Sequence, residues 1–322
     1  MDSPEFDELD QRLVSALVLD GRAPFSKIAA VLGVSDQTVA RRYRRLYAEG
    51  ELRVVGVRDT ERLGHARWML RLRCTPDASV SIATALARRP DTAWIGLTSG
   101  GTEVVCTTEA RKPEDHEALL LGKLPRTPSI MEIGAHQLLH VFYGGRLGWF
   151  TKDSALTAEE RAALAPEPVE PACGPIRLDA EDEALMAALA RNGRASHPEL
   201  QKATGRSESA VKRRLDQLLR SGALFIDAEF DSTRFGFRTR ALLWITVAPS
   251  ALAAVGAALA SHTEVAFAAA TSGPANLVAV VICRDPAGLY AYLSEKLGTL
   301  EGVQHVESAP LLRQVKRLTY AG

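Results

Sequence analysis

Near its amino terminus the chain concentrates side chains whose chemistry suits nucleic acid. Four arginines fall within five consecutive positions, and two uncharged polar residues precede them: Gln37, Thr38, Arg41, Arg42, Arg44 and Arg45. Guanidinium groups pair with phosphates and form two hydrogen bonds to guanine, and Gln and Thr can read base edges. A solvated basic helix face would contain the same residue types, so the surrounding elements must decide between the two interpretations.

The elements around these arginines form a helix–turn–helix pattern. Apolar residues recur at helical spacing in three segments, 7–19, 25–32 and 36–48. A turn at Gly33 separates the last two segments, and Ser35 can cap the third helix. In this arrangement the last helix projects into the DNA major groove, through Ser35, Gln37, Thr38, Arg41, Arg42 and Arg45. The next segment, 52–58, is predicted to be extended, as a wing strand or hairpin.

The same pattern returns in the second half of the chain, 172 positions later. Asp20-Gly21-Arg22-Ala23 corresponds to Asn192-Gly193-Arg194-Ala195, and Leu32-Gly33-Val34-Ser35 corresponds to Thr204-Gly205-Arg206-Ser207. A register held over this span means that one structural unit occurs twice. The second predicted recognition helix spans 208–220, and its candidate DNA contacts are Ser207, Ser209, Lys212, Arg213 and Arg214.

The two units differ in charge. The second predicted recognition helix also carries Glu208 and Asp216, and the extended segment after it, 224–231, is acidic where the first copy has Arg53 and Arg58. Carboxylates beside phosphates are repelled and reduce the affinity for DNA. We therefore expect the first helix–turn–helix to bind DNA more strongly than the second.

Each helix–turn–helix is followed by a βαββαβ pattern. In the first copy the predicted strands are 68–74, 93–97, 103–107 and 130–142, and the helices are 78–88 and 113–124. In the second copy the strands are 241–247, 265–270, 277–282 and from 303 onward, and the helices are 250–260 and 286–297. This order is typical of a ferredoxin-like sandwich. The predicted fold class is therefore α+β, with two winged helix–turn–helix domains and two ferredoxin-like βαββαβ domains in tandem repeat.

The repeat divides the chain into five segments. Residues 1–60 and 177–232 are the predicted helix–turn–helix domains, 61–145 and 233–322 are the ferredoxin-like domains, and 146–176 is a linker. Within the linker, Thr157 and Glu160 resemble a capping box, which predicts a short helix. Four prolines then predict a stiff connector: Pro166, Pro168, Pro171 and Pro175.

The bulk composition excludes several classes of protein. The chain has 322 residues, of which 46% are hydrophobic and 24% charged, and its formal net charge is zero. These values are typical of a soluble chain with two or more domains, and a local basic stripe is sufficient for DNA binding. No apolar run reaches the roughly 18 residues of a membrane helix, and the acidic amino terminus lacks a signal-peptide core. We therefore expect a cytoplasmic protein with no membrane partner.

No cluster of side chains predicts catalysis, a metal site or a bound cofactor. The four cysteines are Cys74, Cys106, Cys173 and Cys283, and none forms a Cys-x-x-Cys pair. The seven histidines are dispersed. His136 and His140 lie four positions apart, but in a predicted strand, where that spacing places both on one face. We therefore expect buried or incidental thiols and no catalytic residue, metal or cofactor.

The helix–turn–helix residues resemble the DNA-binding domain of the Lrp/AsnC (leucine-responsive/asparagine-operon) transcriptional regulators. The resemblance runs without gaps through Leu9-Asp10, Asp20-Gly21-Arg22, Ile28-Ala29, Leu32-Gly33-Val34-Ser35, Thr38-Val39, Arg42, Leu46, Gly50 and Leu52. It implies a sequence-specific regulator that binds double-stranded DNA, with ferredoxin-like (RAM-type) domains that sense an effector and mediate oligomerisation. Two fused copies would form a pseudo-dimer within one chain, and further association into homo-oligomers is expected.

The resemblance also implies an effector site near the glycine turn between the two middle strands, for an amino acid or a related small molecule. The corresponding residues are Thr98, Ser99, Gly100 and Glu103 in the first copy, and Thr271, Ser272, Gly273 and Asn276 in the second. The alternative is a plain hairpin connection in which glycine supplies a positive φ. The acidic residue usual in the family is Glu103 in one copy but Asn276 in the other, so the two turns need not bind the same ligand.

Two other functions fit the same architecture. Siroheme decarboxylases of haem biosynthesis share it, and some resemble two fused copies, but they carry a His–Asn–Tyr type signature before the middle turn. The corresponding segments here, 91–96 and 263–268, contain no His or Tyr. The third interpretation is a ligand-binding or scaffolding protein that has lost DNA binding, and the intact arginine run of the first copy argues against it.

Overall fold

The computed structural model describes residues 6–109, 113–145, 152, 155–166 and 176–317. The chain divides into two compact units, one formed by Met1–Gly64 with Arg146–Gly236 and the other by His65–Gly145 with Phe237–Gly322. Each unit combines a segment of the first copy with the corresponding segment of the second. We call the first unit the head unit, because it contains both predicted helix–turn–helix domains, and the second the sheet unit.

The head unit contains two three-helix heads, with helices and strands numbered along the whole chain. The first head has α1 (Glu8–Leu19), α2 (Phe25–Leu32) and α3 (Asp36–Ala48), and the second has α7 (Ala180–Arg191), α8 (His197–Thr204) and α9 (Glu208–Arg220). Ser35 caps α3 and Ser207 caps α9. Gly33 and Gly205, at φ +71° and +72°, end α2 and α8 in the left-handed conformation that glycine adopts without strain. These two glycines make the tight turn that each motif requires.

A linker helix, α6 (Ala158–Leu164), packs on the first head. Thr157 and Glu160 form the capping box at its start. Leu164 is fully buried, and Glu160 pairs with Arg12 of α1. The helix is therefore attached to the first head by both an apolar and an ionic contact. The predicted stiff connector lies mostly outside the described residues, which include Pro166 but not Pro168, Pro171 or Pro175.

The two extended segments of the head unit form one antiparallel ribbon. In it β1 (Leu52–Arg58) runs along β6 (Leu224–Phe230), with Leu52 opposite Phe230 and Arg58 opposite Leu224. The prediction of a hairpin at 52–58 is therefore wrong, because the partner strand comes from the other head. A lone strand would leave its backbone N–H and C=O groups unpaired, and the second copy supplies the groups that satisfy them.

The sheet unit has the βαββαβ order in both copies. The first copy contains β2 (Arg67–Cys74), α4 (Ser79–Ala87), β3 (Thr92–Thr98), β4 (Glu103–Glu109), α5 (Pro113–Glu117) and β5 (Ile130–Tyr143). The second contains β7 (Thr239–Val247), α10 (Leu252–Ser261), β8 (Val265–Thr271), β9 (Leu277–Cys283), α11 (Pro286–Ala291), β10 (Val303–Pro310) and β11 (Arg313–Lys316). The predicted helices at 113–124 and 286–297 continue as wider π-helical turns over Ala118–Lys123 and Tyr292–Lys296.

The two copies share one nine-stranded sheet, in the order β10-β7-β9-β8-β5-β2-β4-β3-β11. The long strand β5 pairs with β2 over its first half and with β8 of the other copy over its second half. In the second copy, β10 pairs with β7, and β11 pairs with β3 of the first copy. Each copy therefore adds the end of its last strand to the sheet of the other.

Three apolar clusters fill the sheet unit. In each copy the helices cover one face of the strands, as with Leu70 and Leu72 in the first copy and Leu243 and Ile245 in the second. A third cluster takes residues of both copies from the opposite strand faces: Met69, Val105, Leu242, Trp244, Ala269, Val278 and Val280. Met69, on the face of β2 opposite Leu70 and Leu72, is also buried, so both faces of this strand contribute to an apolar cluster. In the described part of the chain, no helix is long and apolar enough to span a membrane.

Candidate nucleic-acid interface and sensing turns

The exposed side of α3 carries polar residues that the sequence singled out. Ser35 Oγ accepts a hydrogen bond from the Thr38 N–H at 3.1 Å. Gln37 and Arg41 are exposed. Arg44 is exposed as well, and its Nε donates to a carbonyl of its own helix at 3.1 Å. These side chains are accessible to a partner as large as DNA.

Two of the predicted contacts are instead held by α1. Arg42 donates to Asp10 at 2.9 Å and also pairs with Asp7, and Arg45 pairs with Asp10. Asp10 is only 3% exposed, and a buried carboxylate is costly without a paired cation. The hydrogen bonds to Asp7 and then to Asp10 raise the pKa of Arg42. Arg42 thus ties the recognition helix to the first helix, a role that the sequence interpretation missed.

The second head repeats this ion pair. Arg214 of α9 donates to Asp182 of α7 through Nε at 2.8 Å and through Nη2 at 2.5 Å. Asp182 is fully buried, and Arg206 reaches the same carboxylate at 3.3 Å. The pair corresponds to Asp10 and Arg42 in the first head. The sequence contained one signal for this ion pair, since an aspartate recurs on the apolar stripe of both α1 and α7. The arginine that pairs with it on the third helix of each head was identified only from the structure.

The exposed surface of α9 is less basic than that of α3. Ser207 caps the helix, and Ser209, Lys212 and Arg213 are exposed. Exposed Asp216 occupies the position that corresponds to Arg44. The two candidate interfaces therefore share an exposed arginine, Arg41 in one and Arg213 in the other, but differ at neighbouring positions.

The charges of the extended segments belong to the contact between the heads. Glu229 of β6 stands opposite Arg53 of β1. Arg58 donates to the Glu183 carboxylate of α7 through both terminal nitrogens, at 2.9 and 2.6 Å. The acidic second extended segment thus belongs to the contact between the heads, so its charge no longer supports weaker DNA binding by the second head. That expectation now rests on α9 alone.

In the first copy the predicted effector turn is closed by internal hydrogen bonds. The Glu103 carboxylate accepts from Thr98 Oγ1 at 2.8 Å and from Ser99 Oγ at 3.2 Å. It also accepts from Arg71 Nε at 2.8 Å. The other end of Arg71 donates to Glu307 of β10 at 2.6 and 3.0 Å. A cationic ligand of Glu103 would therefore compete with Arg71.

Arg71 is the residue of this region that sequence reasoning missed. Its guanidinium lies 4.7 Å from the ring centre of Trp244, the residue at the corresponding position of the second copy. Burial alone would lower the pKa of Arg71, but the hydrogen bonds to Glu307 and Glu103 outweigh burial and raise it. The cation therefore joins the two copies. The available signal was an arginine that alternates with the buried Leu70 and Leu72 along β2.

The turn of the second copy is built differently. Asn276 exchanges two hydrogen bonds with the Val247 backbone, at 2.9 and 2.8 Å. Ser272 Oγ accepts from a backbone N–H of β5 at 2.8 Å. His136 Nδ1 lies 3.0 Å from the Ser272 carbonyl, and its ring occupies the space where a side chain at Gly273 would lie. Asn276 therefore extends the strand ladder, and His136 fills the concave side of the turn.

The remaining residues of the two turns have matching positions. Thr98 and Thr271 are buried where the strands end, and Thr271 Oγ1 donates to the Ala275 carbonyl at 2.7 Å. Gly100 and Gly273 have φ values of +69° and +105°. These positive values are what the hairpin interpretation requires, and they are compatible with an effector site.

The described thiols are buried, and two of the described histidines contact aromatic rings. Cys74, Cys106 and Cys283 are buried free thiols, and burial raises the pKa of Cys106 to about 12. Cys173 lies outside the described residues. The His136 ring contacts Trp244 and the His140 ring contacts Phe142. Among the residues that the structure describes, no group of three or more His, Cys, Asp or Glu is placed to hold a metal ion.

The described fold combines two helix–turn–helix heads with two ferredoxin-like domains. The model of the AsnC-type helix-turn-helix domain matches residues 6–47 and 178–219, and that of the Lrp/AsnC ligand binding domain matches 240–320. An HTH-type transcriptional regulator of Mycobacterium tuberculosis is 33% identical over 141 residues, which cover 42% of this chain and 93% of the relative. The chain belongs to the Lrp/AsnC family of transcriptional regulators and contains the family's unit in tandem.

Other relatives are also matched along almost their whole length by less than half of this chain. The regulator LrpA of Pyrococcus horikoshii is 26% identical over 140 residues, covering 43% of this chain and 99% of the relative. An uncharacterized HTH-type transcriptional regulator of Pyrococcus abyssi is 27% identical over 147 residues, covering 45% and 92%. The solved structure of the siroheme decarboxylase NirDL is similar over 97% of this chain and 94% of that chain, with a TM-score of 0.63 and 14% identity. At that identity the likeness shows a common fold.

Proposed function

We propose that this chain reads an asymmetric DNA site with two non-identical heads held in one polypeptide, and that its sheet unit responds to an amino acid or a related small molecule. The observation that carries the first part is the exposed basic surface of α3, with Gln37, Arg41 and Arg44. In this proposal Arg42 and Arg214 contribute by holding the recognition helices, because both are bound to buried aspartates.

The heads are expected to contribute unequally. Arg44 on α3 is replaced by Asp216 on α9, which brings a carboxylate toward the phosphates and reduces affinity. Lys212, at the position of Ala40, compensates for part of that lost charge. The site would therefore consist of two different half-sites, with the stronger contacts made by the first head. Ser35, Thr38 and Arg45 complete the proposed contacts of that head, and Ser207, Ser209 and Arg213 those of the second.

The test is fluorescence anisotropy with a duplex from upstream of the protein's own gene and a scrambled duplex, at two salt concentrations. Arg41→Ala is expected to weaken binding to the preferred duplex about tenfold or more, since a lost base contact costs about 1–3 kcal/mol. Arg213→Ala should have a smaller effect. Arg88→Ala, which removes an exposed arginine of the sheet unit, is the matched control and should bind normally. Equal losses for Arg41→Ala and Arg213→Ala would contradict the asymmetry, and absence of binding to any duplex at low salt would contradict DNA recognition.

The proposed effector residues are Thr98, Ser99, Gly100 and Glu103 in the first copy and Thr271, Ser272, Gly273 and Asn276 in the second. The Glu103 carboxylate is the group best suited to bind the ammonium group of an amino acid, although this ligand must displace the Arg71 guanidinium from it. A thermal-shift screen of the common amino acids tests the proposal. Glu103→Gln should abolish the shift given by a binding amino acid, whereas Glu109→Gln, which breaks the neighbouring ion pair with Arg67, should retain it. An unchanged shift in Glu103→Gln would place the effector elsewhere.

Association of the chains into homo-oligomers is proposed from the family relationship. Light scattering of the purified protein measures it directly. A mass at least twice that of one 34.8 kDa chain is expected, and the mass of a single chain at micromolar concentration would contradict it.

Siroheme decarboxylation is the competing function, and the fold likeness to NirDL is the observation that favours it. The residues argue against it. The segments 91–96 and 263–268, where siroheme decarboxylases carry their His–Asn–Tyr type signature, lack His and Tyr. Incubation with siroheme followed by mass spectrometry decides the question, because a decarboxylated product would establish the enzyme.

A further inference from the structure

The two corresponding turns Asp20-Gly21-Arg22 and Asn192-Gly193-Arg194 meet each other in the head unit. In the sequence they only mark the ends of helices. In the structure each arginine donates two hydrogen bonds to backbone carbonyls of the other turn. These are Arg22 Nη1 to Gly193 at 2.6 Å and Nη2 to Ala195 at 3.1 Å, and Arg194 Nη1 to Gly21 at 2.6 Å and Nη2 to Ala23 at 3.0 Å. We call this reciprocal arrangement of Arg22 and Arg194 the arginine clasp.

The glycines allow the two turns to approach the strand ribbon closely. The Gly193 N–H donates to the Val54 carbonyl at 2.7 Å, and a Cβ atom at Gly193 would lie 2.9 Å from backbone atoms of Val55. A Cβ atom at Gly21 would lie 2.5 Å from the side chain of Ile226. Since real Cβ contacts are longer than this, a side chain at either position would push its turn away from the ribbon. The clasp is therefore built on a backbone contact with little freedom to slide.

Each arginine of the clasp also reaches the recognition helix of the other head. The Arg194 guanidinium lies 4.4 Å from the ring centre of Phe25 and 5.6 Å from that of Tyr43, which is part of α3. Burial lowers the pKa of Arg22, and the charge of Asp216 on α9 acts to raise it. The clasp thus contacts the two turns, the ribbon and α3, and it interacts with α9 through charge.

We propose that Arg22 and Arg194 are positioning residues that fix the separation of α3 and α9, and thereby select DNA by the number of base pairs between its two half-sites. The inference rests on the proposed function, in which both helices contact DNA. A guanidinium forms a planar fork whose two bonds define an orientation, whereas an ammonium acts as a point charge. Paired recognition helices bind half-sites about one helical turn apart, or multiples of it, so their separation sets the spacing that fits.

The competing interpretation is that these arginines contact phosphates directly. The two interpretations predict different results. A phosphate contact lowers the affinity for every duplex alike and reduces the salt slope by about one for each lost cation. A positioning role changes how the affinity depends on the spacing and leaves the salt slope unaltered when the charge is kept.

The experiment uses the full chain and a duplex selected from random DNA by the wild-type protein. Base pairs are inserted or removed between the half-sites, one to five at a time, and anisotropy gives the affinity for each duplex. With five added, about half a helical turn, the wild type should lose at least tenfold in affinity. The double variant Arg22→Lys with Arg194→Lys keeps both positive charges but not the planar fork of the guanidinium groups. Its affinity should fall less than threefold across the same series of duplexes. Arg191→Lys, which alters an exposed arginine of the same unit, is the control and should behave as the wild type.

The possible outcomes distinguish a positioning role of the two arginines from a phosphate contact, and both from a failure of the proposed DNA contacts. Arg22→Lys alone leaves half of the clasp and should give an intermediate dependence on spacing, which keeps the test informative if the double variant is unstable by circular dichroism. A wild-type dependence on spacing in both lysine variants would overturn the positioning role. An equal loss on all duplexes with a lower salt slope would overturn it in favour of phosphate contact. Failure of the wild-type protein to select any duplex from random DNA would overturn the proposed DNA contacts themselves.

Discussion

At the scale of single residues, the least expected feature is a buried aspartate that uses an arginine of the recognition helix. Asp10 and Asp182 are 3% and 0% exposed, and they bind Arg42 and Arg214. Burial alone would raise the pKa of Asp182, but the hydrogen bonds from Arg214 and the backbone, with the charge of Arg214, outweigh burial and lower it. An arginine that sequence spacing assigns to the DNA-contacting face of a recognition helix can therefore have a structural role instead.

Replacing Asp182 by Asn should destabilise the head unit by about 3 kcal/mol, because breaking a buried pair leaves an uncompensated charge. The lowered carboxyl pKa means that the pair contributes stability above the ordinary value of 3.8, and that this contribution is lost as the pH falls through the lower folded-state value. Urea unfolding at pH 7 and pH 3 measures both effects. Asp216→Asn, at an exposed position of α9, is the control. A similar stability for Asp182→Asn and Asp216→Asn at pH 7 would contradict the assigned role.

At the scale of elements, the pairing of β1 with β6 explains one acidic residue of the second extended segment, Glu229, but not Asp227. Asp227 stands opposite Val55, and Glu229 opposite Arg53. The backbone N–H of Ala228 donates to the Asp227 carboxylate at 2.8 Å. Burial, and then the charge of Glu229, raise the pKa of Asp227 to about 7. The ribbon therefore contains one carboxylate that is costly when ionised.

The substitution Asp227→Asn should stabilise the head unit at pH 8, because it removes the cost of a partly buried charge. A raised carboxyl pKa favours the folded state most below the ordinary value of 3.8, and this contribution is lost as the pH rises through about 7. The advantage of Asn should therefore shrink steadily as the pH falls from 7 toward 4. Thermal melting across this range, with Asp77→Asn at an exposed site as control, measures it. A gain that stays constant with pH would contradict the assignment.

At the scale of the whole molecule, neither copy of the repeat forms a separate body. Each compact unit takes one segment from each copy, and the last strand of each copy crosses to the sheet of the other. At one crossing the Trp94 N–H donates to the Arg317 carbonyl at 2.8 Å, and Lys316, 6% exposed, donates to the Arg89 carbonyl at 2.7 Å. The fused chain thus reproduces within itself the kind of strand exchange that would otherwise require two polypeptides.

Ending the chain at Leu312, which removes β11, should lower the melting temperature and increase self-association. The reason is that β3 would become a free sheet edge, and free edges pair with other chains. A chain ending at Arg317 retains β11 and is the matched control. Differential scanning calorimetry and light scattering test the expectation. Equal melting temperatures and equal masses for the two truncated chains would contradict it.

The local elements were predictable from the sequence because their determinants are local. The bounds of α3, Asp36–Ala48, follow from the Ser35 cap and from Gly33 in the left-handed conformation. The βαββαβ order followed from alternation, and the doubled DNA-binding motif from a register of 172 positions. These features depend on neighbours within a few residues, so their residue types and spacing were sufficient to identify the fold and the family.

The tertiary structure decided which distant groups meet. Spacing indicated that 52–58 is extended, but not that its partner is 224–230. It marked Arg42 as a DNA contact, but not that Asp10 holds it, and it did not indicate that Arg71 lies between Glu103 and Glu307. Backbone pairing and charge compensation are satisfied by any suitable group that the fold brings near, and these partners lie about thirty residues away within one copy or in the other copy. The sequence by itself determined the elements and their class, whereas tertiary contacts, within and between the two copies, determined which of the charged residues remain available to a partner.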